Sequence, residues 1–218
     1  MRVGGINLIY MLHLKENNND VERLVLKALN NVAEEFLSFT YSMIINKQKP
    51  ERLFNAELYH QLRILQSSTN LEFKNYSKLK FHIDLNKVTV NRNHSDLPCI
   101  VHYTPKNFSP DLIIHNSQND LFNQLFIAEI KMDGASINKI IKDLIKLLYY
   151  KTSFLKFKNA AFIYTGSIQN LEVKLEAILE FKNDDFIRCL IDNEIVFYCR
   201  ESINNKNWNE FILNYKNN

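Results

Sequence analysis

The stretch that most restricts how this chain can fold is Ala160-Ala161-Phe162-Ile163-Tyr164, five apolar residues in a row, followed closely by Gly166. A strand that is apolar on both faces must be covered on both, so it belongs in the middle of a sheet with helices above and below. The neighbouring sequence supplies that cover. From Ser136 to Phe154, the residues Ile137, Ile140, Ile141, Leu144, Leu147 and Leu148 recur at helical spacing, and a further helical segment runs from Gln169 to Lys182. Upstream, Leu24, Val25, Ala28, Leu29, Val32 and Phe36 predict a helix from Asp20 to about Phe39. Phe54, Leu58, Leu62 and Leu65 predict a second, from Glu51 to Leu65. Only four Gly and four Pro in 218 residues leave little punctuation, and a 46% hydrophobic content is enough to fill a sizeable core with long regular elements.

Strand texture appears between these helices. Phe81 to Leu85 and Val88 to Val90 alternate with period two, and Asn91 to Ser109, with Pro98 and Pro105, reads as loop. Asp111 to His115 and Leu125 to Lys131 are two apolar runs separated by the polar turn Asn116 to Asp120, the pattern of an antiparallel hairpin. Asp133-Gly134 ends the second of them. Glu194 to Cys199 predicts another strand, and Trp208 to Tyr215 a terminal helix. The expected fold class is α/β, a mixed central sheet flanked by helices, in a single domain. Within it, residues 1–50 form an N-terminal helical extension, 51–165 the core, and 166–218 a C-terminal helix–strand–helix extension.

Composition excludes several function classes. Lys plus Arg number 27 against 24 acids, a net charge of +3 that permits a nucleic-acid partner without arguing for one. Cys99, Cys189 and Cys199 are odd in number and widely spaced, which predicts buried or incidental thiols in a reducing compartment and neither a disulfide scaffold nor a zinc knuckle. His60, His102 and His115 have no zinc-ligand spacing, and no Gly-rich phosphate loop points to an NTPase or dinucleotide enzyme. Asn7 and His13 interrupt the apolar opening MRVGGINLIYMLHL, and no small-residue cleavage site follows it. No stretch approaches the roughly 20 apolar residues of a membrane span. The expectation is a cytoplasmic protein with no membrane partner.

The hairpin carries the chemistry. Period-two geometry puts Glu129 and Lys131 on one strand face with Leu125 and Ile127, while Phe126, Ala128 and Ile130 point the other way. Asp111, eighteen positions before Glu129, opens the partner strand, so the ladder brings the two carboxylates together. Two carboxylates at the edge of an apolar sheet suit a hard divalent cation such as Mg²⁺ or Mn²⁺. A lysine beside them can orient or deprotonate a metal-bound water and stabilise charge on a phosphodiester. The tripeptide by itself carries nothing, because an acid-x-Lys triplet occurs four times, at Glu72, Glu129, Glu172 and Glu180. Only Glu129-Ile130-Lys131 closes a hydrophobic strand, after a Pro110-Asp111 strand start and before an amphipathic helix. The opposing reading treats these residues as strand-end surface charges paired across a hairpin.

With Pro110-Asp111, Glu129-Ile130-Lys131, the helix from Ser136 and the strand at Ala160 in this order, the chain resembles the PD-(D/E)xK, or restriction-endonuclease-like, nuclease superfamily. The resemblance covers about Glu51 to Tyr164. It implies that Asp111 and Glu129 ligate the metal, that the Ile130 carbonyl completes the protein ligands, and that Lys131 is the catalytic lysine. Many members add a glutamate from the helix preceding the sheet. Glu57, on the border of the apolar stripe, fits that position, with Glu35 as the second choice. The activity implied is metal-dependent hydrolysis of phosphodiester bonds, most naturally in DNA, with a homodimer as the simplest way to cut both strands. The alternatives are a non-catalytic module of the same fold that binds nucleic acid or protein, and an unrelated α/β interaction module. Lys139, Lys142 and Lys146 recur on the face of the Ser136 helix opposite its apolar stripe, as a solvated face or a track for a phosphate backbone.

Overall fold

The computed structural model describes residues 10–15, 19–37, 50–68, 77–83, 109–116, 124–152, 156–181, 184–202, 204–205 and 207–215. The fold is α/β: one seven-stranded mixed sheet flanked by helices. Its elements are β1 (Tyr10–Leu14), α1 (Asp20–Asn31), a 3₁₀ turn (Glu34–Phe36), α2 (Pro50–Ser67), β2 (Lys80–Ile83), β3 (Leu112–His115) and β4 (Gln124–Lys131). They continue with α3 (Ile137–Thr152), β5 (Asn159–Ser167), α4 (Ile168–Phe181), α5 (Asp184–Asp192), β6 (Val196–Arg200) and β7 (Trp208–Tyr215). Strand order across the sheet is β1-β7-β6-β5-β4-β3-β2. The β4–β5 and β5–β6 pairs are parallel, and the others are antiparallel.

β5, the apolar run of the sequence, lies at the centre of the sheet and is buried along almost its whole length. Helices α3, α4 and α5 cover one face, packing on Ile127, Ala160, Phe162, Tyr164 and Phe197. α1 and α2 cover the other face over Phe126, Ala128, Ile130, Ala161 and Ile163. Successive residues of β4 and β5 thus feed two separate cores, which is why both strands are apolar at every central position except Glu129. The hairpin pairs β3 with β4 antiparallel, Leu112 opposite Ala128.

Several expectations change. Trp208 to Tyr215 is a strand, not a helix, so the segment after residue 166 runs helix–helix–strand–strand. An eight-residue segment cannot hold a helix alone, and pairing with β6 and β1 on either side supplies the backbone partners that decide its state. Trp208 then buries on the α1 side, and Phe211 and Leu213 on the other. The first helix also ends at Asn31, short of Phe39, and a 3₁₀ turn follows. Residues 1–50 and 166–218 both contribute strands to the same sheet as the expected core. Val88 to Val90, the Asn91 to Phe108 stretch, His102 and Cys99 lie outside the described residues. Cys199 is a buried free thiol, as expected, whereas Cys189 is disulfide-bonded, which corrects the reading of that cysteine as a thiol. No helix among the described residues is long and apolar enough to cross a membrane.

A buried ion cluster ties the outer strands to α1. Glu22 completes a capping box with Asn19 and accepts from Lys15 Nζ at 2.7 Å, and Lys15 also lies 3.1 Å from Glu210 of β7. Both glutamates are almost wholly buried. Burial, with repulsion from Glu22, pushes Glu210 up to about 7 from an ordinary 4.5. A raised carboxyl favours the fold when protonated. Its contribution is therefore fully present below about pH 4.5 and lost as pH rises through about 7. Glu210→Gln should remove most of that fall, worth on the order of 3 kcal/mol. Thermal melts of both proteins between pH 4.5 and 8, followed by circular dichroism, should show a steeper decline in the wild type.

Candidate active site

The site begins where the β3–β4 ladder ends. Past the Leu112–Ala128 pair, the next inward N–H of β4, that of Ile130, goes to the side chain of Asp111 and not to a ladder carbonyl. Its Oδ2 accepts the Ile130 N–H at 2.7 Å. This bond locks Asp111 against the last residues of β4, where Glu129 and Lys131 point to the α3 face with Ile127.

α3 meets them with two polar residues of its own. Lys146 Nζ donates to Glu129 Oε2 at 3.0 Å and lies 2.7 Å from Asp143 Oδ1. Asp143 Oδ2 lies 3.0 Å from Lys131 Nζ, although the angle falls short of a hydrogen bond. Lys131 also donates to its neighbour's carbonyl, Ile130 O, at 2.8 Å. It reaches Glu51 Oε2 at 3.4 Å and Asp111 Oδ2 at 3.8 Å. Glu51 comes from the first turn of α2, which packs on the opposite face of the sheet, so Lys131 bridges the two layers at the strand end.

Four carboxylates thus share two ammonium groups, in a place where little water reaches. Glu129 and Asp143 are buried, and Asp111, Lys131 and Lys146 are partly so. Burial pushes Asp111 up to about 6 against the pull of Lys131. Burial also raises Glu129 well above the usual carboxylate range, and Asp111 and Asp143 push it further. For Lys131, burial works downward, but Asp143, Asp111 and Glu51 outweigh it and hold the ammonium above its ordinary value. Lys146 is raised the same way by Glu129 and Asp143. Oε1 of Glu129 is buried with no hydrogen-bond partner.

Asp111, Glu129, Ile130 and Lys131 therefore come together. Glu57 does not join them in any contact, its Oε1 accepting from Gln61 one turn along α2 at 2.6 Å. The acid that α2 brings to the site is Glu51, at the helix start. Glu35 lies in the exposed 3₁₀ turn after α1. Asp143 and Glu51 are residues that sequence reasoning missed, and Lys146, expected on the outer face of its helix, belongs to the site. Lys139 and Lys142 are exposed as expected, whereas Lys146 is turned inward. The one local hint is that Asp143 falls on the apolar stripe of the helix, between Ile140 and Leu147.

The donor chemistry fits a hard divalent cation. The oxygens are carboxylate and carbonyl, the side chains carry two more negative than positive charges, and one carboxylate oxygen is buried without a partner. Among the described residues, no three His, Cys, Asp or Glu side chains are disposed to hold a metal as they stand, and ammonium groups lie between the carboxylates.

The neighbouring strand ends are fixed by their own bonds. Tyr164 donates to the Asp133 carbonyl at 2.9 Å, Asn170 reaches the Asp133 carboxylate at 3.2 Å, and Arg200 Nη2 donates to Thr165 O at 2.7 Å. Gly166 is required there, since a Cβ would fall 2.4 Å from Asp133 Oδ1. Comparison with family models, curated proteins and solved structures yields no match to this chain.

Asp111 is held ionised at neutral pH against its burial. Stability linked to it is full below about pH 4 and lost as pH rises through about 6. Asp111→Asn, which keeps an acceptor for the Ile130 N–H, should melt higher than wild type at pH 8 in metal-free buffer. The gain should vanish at pH 4, as scanning calorimetry at the two pH values would show.

Proposed function

We propose that the chain is a metal-dependent nuclease of the PD-(D/E)xK type that hydrolyses phosphodiester bonds, with DNA as the substrate. The observation that carries this reading is Glu129, a fully buried carboxylate with an unpartnered oxygen, one residue from a lysine and clustered with Asp111. A surface charge pair across a hairpin would be exposed and satisfied. Glu129 is buried and only half satisfied, with Oε2 paired to Lys146 and Oε1 without a partner, an arrangement that is tolerated where a ligand completes it.

In this reading Asp111, Glu129 and the Ile130 carbonyl hold Mg²⁺ or Mn²⁺. The bound ion supplies an acidified water and neutralises charge on the phosphate. Lys131, kept protonated by its carboxylates, orients that water and stabilises the negative charge that builds on the phosphoryl oxygens. Asp143 fixes the lysine from α3, and Glu51 does so from α2. The exposed Lys139 and Lys142 lie on the outer face of α3 and offer cations to a phosphate backbone running past the site.

Nicking of supercoiled plasmid and cleavage of labelled oligonucleotides test the assignment. Wild type should cut with Mg²⁺ or Mn²⁺ and stop with EDTA. Asp111→Ala, Glu129→Ala and Lys131→Ala should each lose at least about 100-fold in rate, a transition-state loss of roughly 3 kcal/mol. Nucleic-acid binding by Lys131→Ala should persist and weaken with salt. Tight binding by the wild type without cleavage in any metal would favour the non-catalytic module instead.

One such site cuts one strand, so a duplex break in a single encounter calls for two copies, which a two-fold homodimer supplies. Sedimentation velocity should then give twice the 25.8 kDa chain mass at working concentrations. A monomer that makes double-strand breaks in one encounter would contradict this.

A further inference from the structure

We infer that Lys146 is the resting counter-ion of the metal centre, an ammonium that a divalent cation must displace before the site is assembled. The inference rests on the metal-dependent reading above. It goes beyond that reading by assigning a gate to a residue on α3.

The geometry separates the two lysines. Lys131 lies close to four oxygens, and two of its partners, Asp143 and Glu51, are not among the groups expected to ligate the metal. It therefore keeps a place when Asp111 and Glu129 close on a cation. Lys146 bridges Glu129 Oε2 at 3.0 Å and Asp143 Oδ1 at 2.7 Å and has no other oxygen partner among the described residues. It neutralises the one carboxylate that is completely buried, so it occupies the charge position that a metal bound to Glu129 would fill.

Lys146 can also leave. Its side chain is 20% exposed, against 1% for Glu129, and a four-carbon stem on the side of α3 can swing the ammonium toward the solvent next to Lys142. Exchange of an ammonium for a divalent ion keeps the buried carboxylates compensated throughout. Metal affinity is accordingly set by competition with an internal cation, and the metal-free site is held shut without a separate lid.

The test needs no nuclease assay. Free Mn²⁺ is titrated by electron paramagnetic resonance against wild type, Lys146→Met and, as an exposed control, Lys139→Met. Lys146→Met should bind Mn²⁺ about tenfold more tightly than wild type, and Lys139→Met like wild type, because a competing unit charge a few ångströms away has been removed. In parallel, wild type is acylated with a small amine reagent with and without saturating Mn²⁺ and read by mass spectrometry. Mn²⁺ should raise modification of Lys146 several-fold and leave Lys139 and Lys142 unchanged. The labelling decides the matter if Lys146→Met does not fold. If wild type binds Mn²⁺ but Lys146→Met binds no tighter, or Lys146 labelling does not rise, the gate is overturned and the metal site stands. If no protein binds Mn²⁺, the metal-dependent reading falls and the gate with it.

Discussion

Everything at the end of β4 follows from placing one carboxylate where water does not reach. Glu129 interrupts a strand whose other central residues feed two apolar cores. Its charge has to be met by a side chain from another element, because a lone buried carboxylate costs several kcal/mol. The helix that covers that face supplies Lys146. Asp143 is then needed to balance and orient the lysines, and Lys131 links Asp143 to Asp111 and Glu51. A core built for stability alone would replace this set with leucines at no loss. Four carboxylates on two ammonium groups leave an excess of formal negative charge, which is the charge that the metal-dependent reading proposed above would use.

The location of the cluster fits that requirement. Parallel β4 and β5 both end at this edge, and the crevice beyond the carboxyl ends of parallel strands is where open α/β sheets place their ligands. The edge is also stiff. Asp111 is fastened to the β4 backbone, Asp133 is held by Tyr164 and Asn170, and Arg200 grips Thr165 from β6. Reacting groups held by their own bonds to the scaffold lose little entropy when a substrate arrives. Of the two ammonium groups in this set, Lys146 has the fewer partners and the greater exposure, 20% against 12% for Lys131.

The sequence made part of this legible, for a physical reason. Period two is rigid, so once the hairpin was recognised, Glu129, Lys131 and Asp111 had to share an edge, and they do. A helix face is softer information. Glu57 borders the apolar stripe of α2, but which turn approaches the sheet end depends on where the helix starts, and Pro50 puts Glu51 there. The three lysines of α3 share a spacing, yet Lys146 sits beside Asp143 and close to Tyr150, at the border where a charged side chain faces inward only if a buried partner waits for it. That partner belongs to β4 and is invisible to any local window. Trp208 to Tyr215 misled for the same reason, since its strand state comes from β1 and β6 on either side.

The difference between the two lysines also bears on which ion the cluster would take. Two uncompensated negative charges match a divalent ion and not a monovalent one. An ammonium that must leave first raises the threshold for weakly held ions further, because the entering cation has to outcompete a charge already in contact with Glu129 and Asp143. Carboxylate and carbonyl oxygens favour hard ions, and the neighbourhood offers no cysteine or histidine ligand among the described contacts that would draw a softer one. Burial, charge count and donor type are thus the three properties on which the metal-dependent reading rests: the apolar strand, the acids gathered at its end, and the oxygen donors they supply.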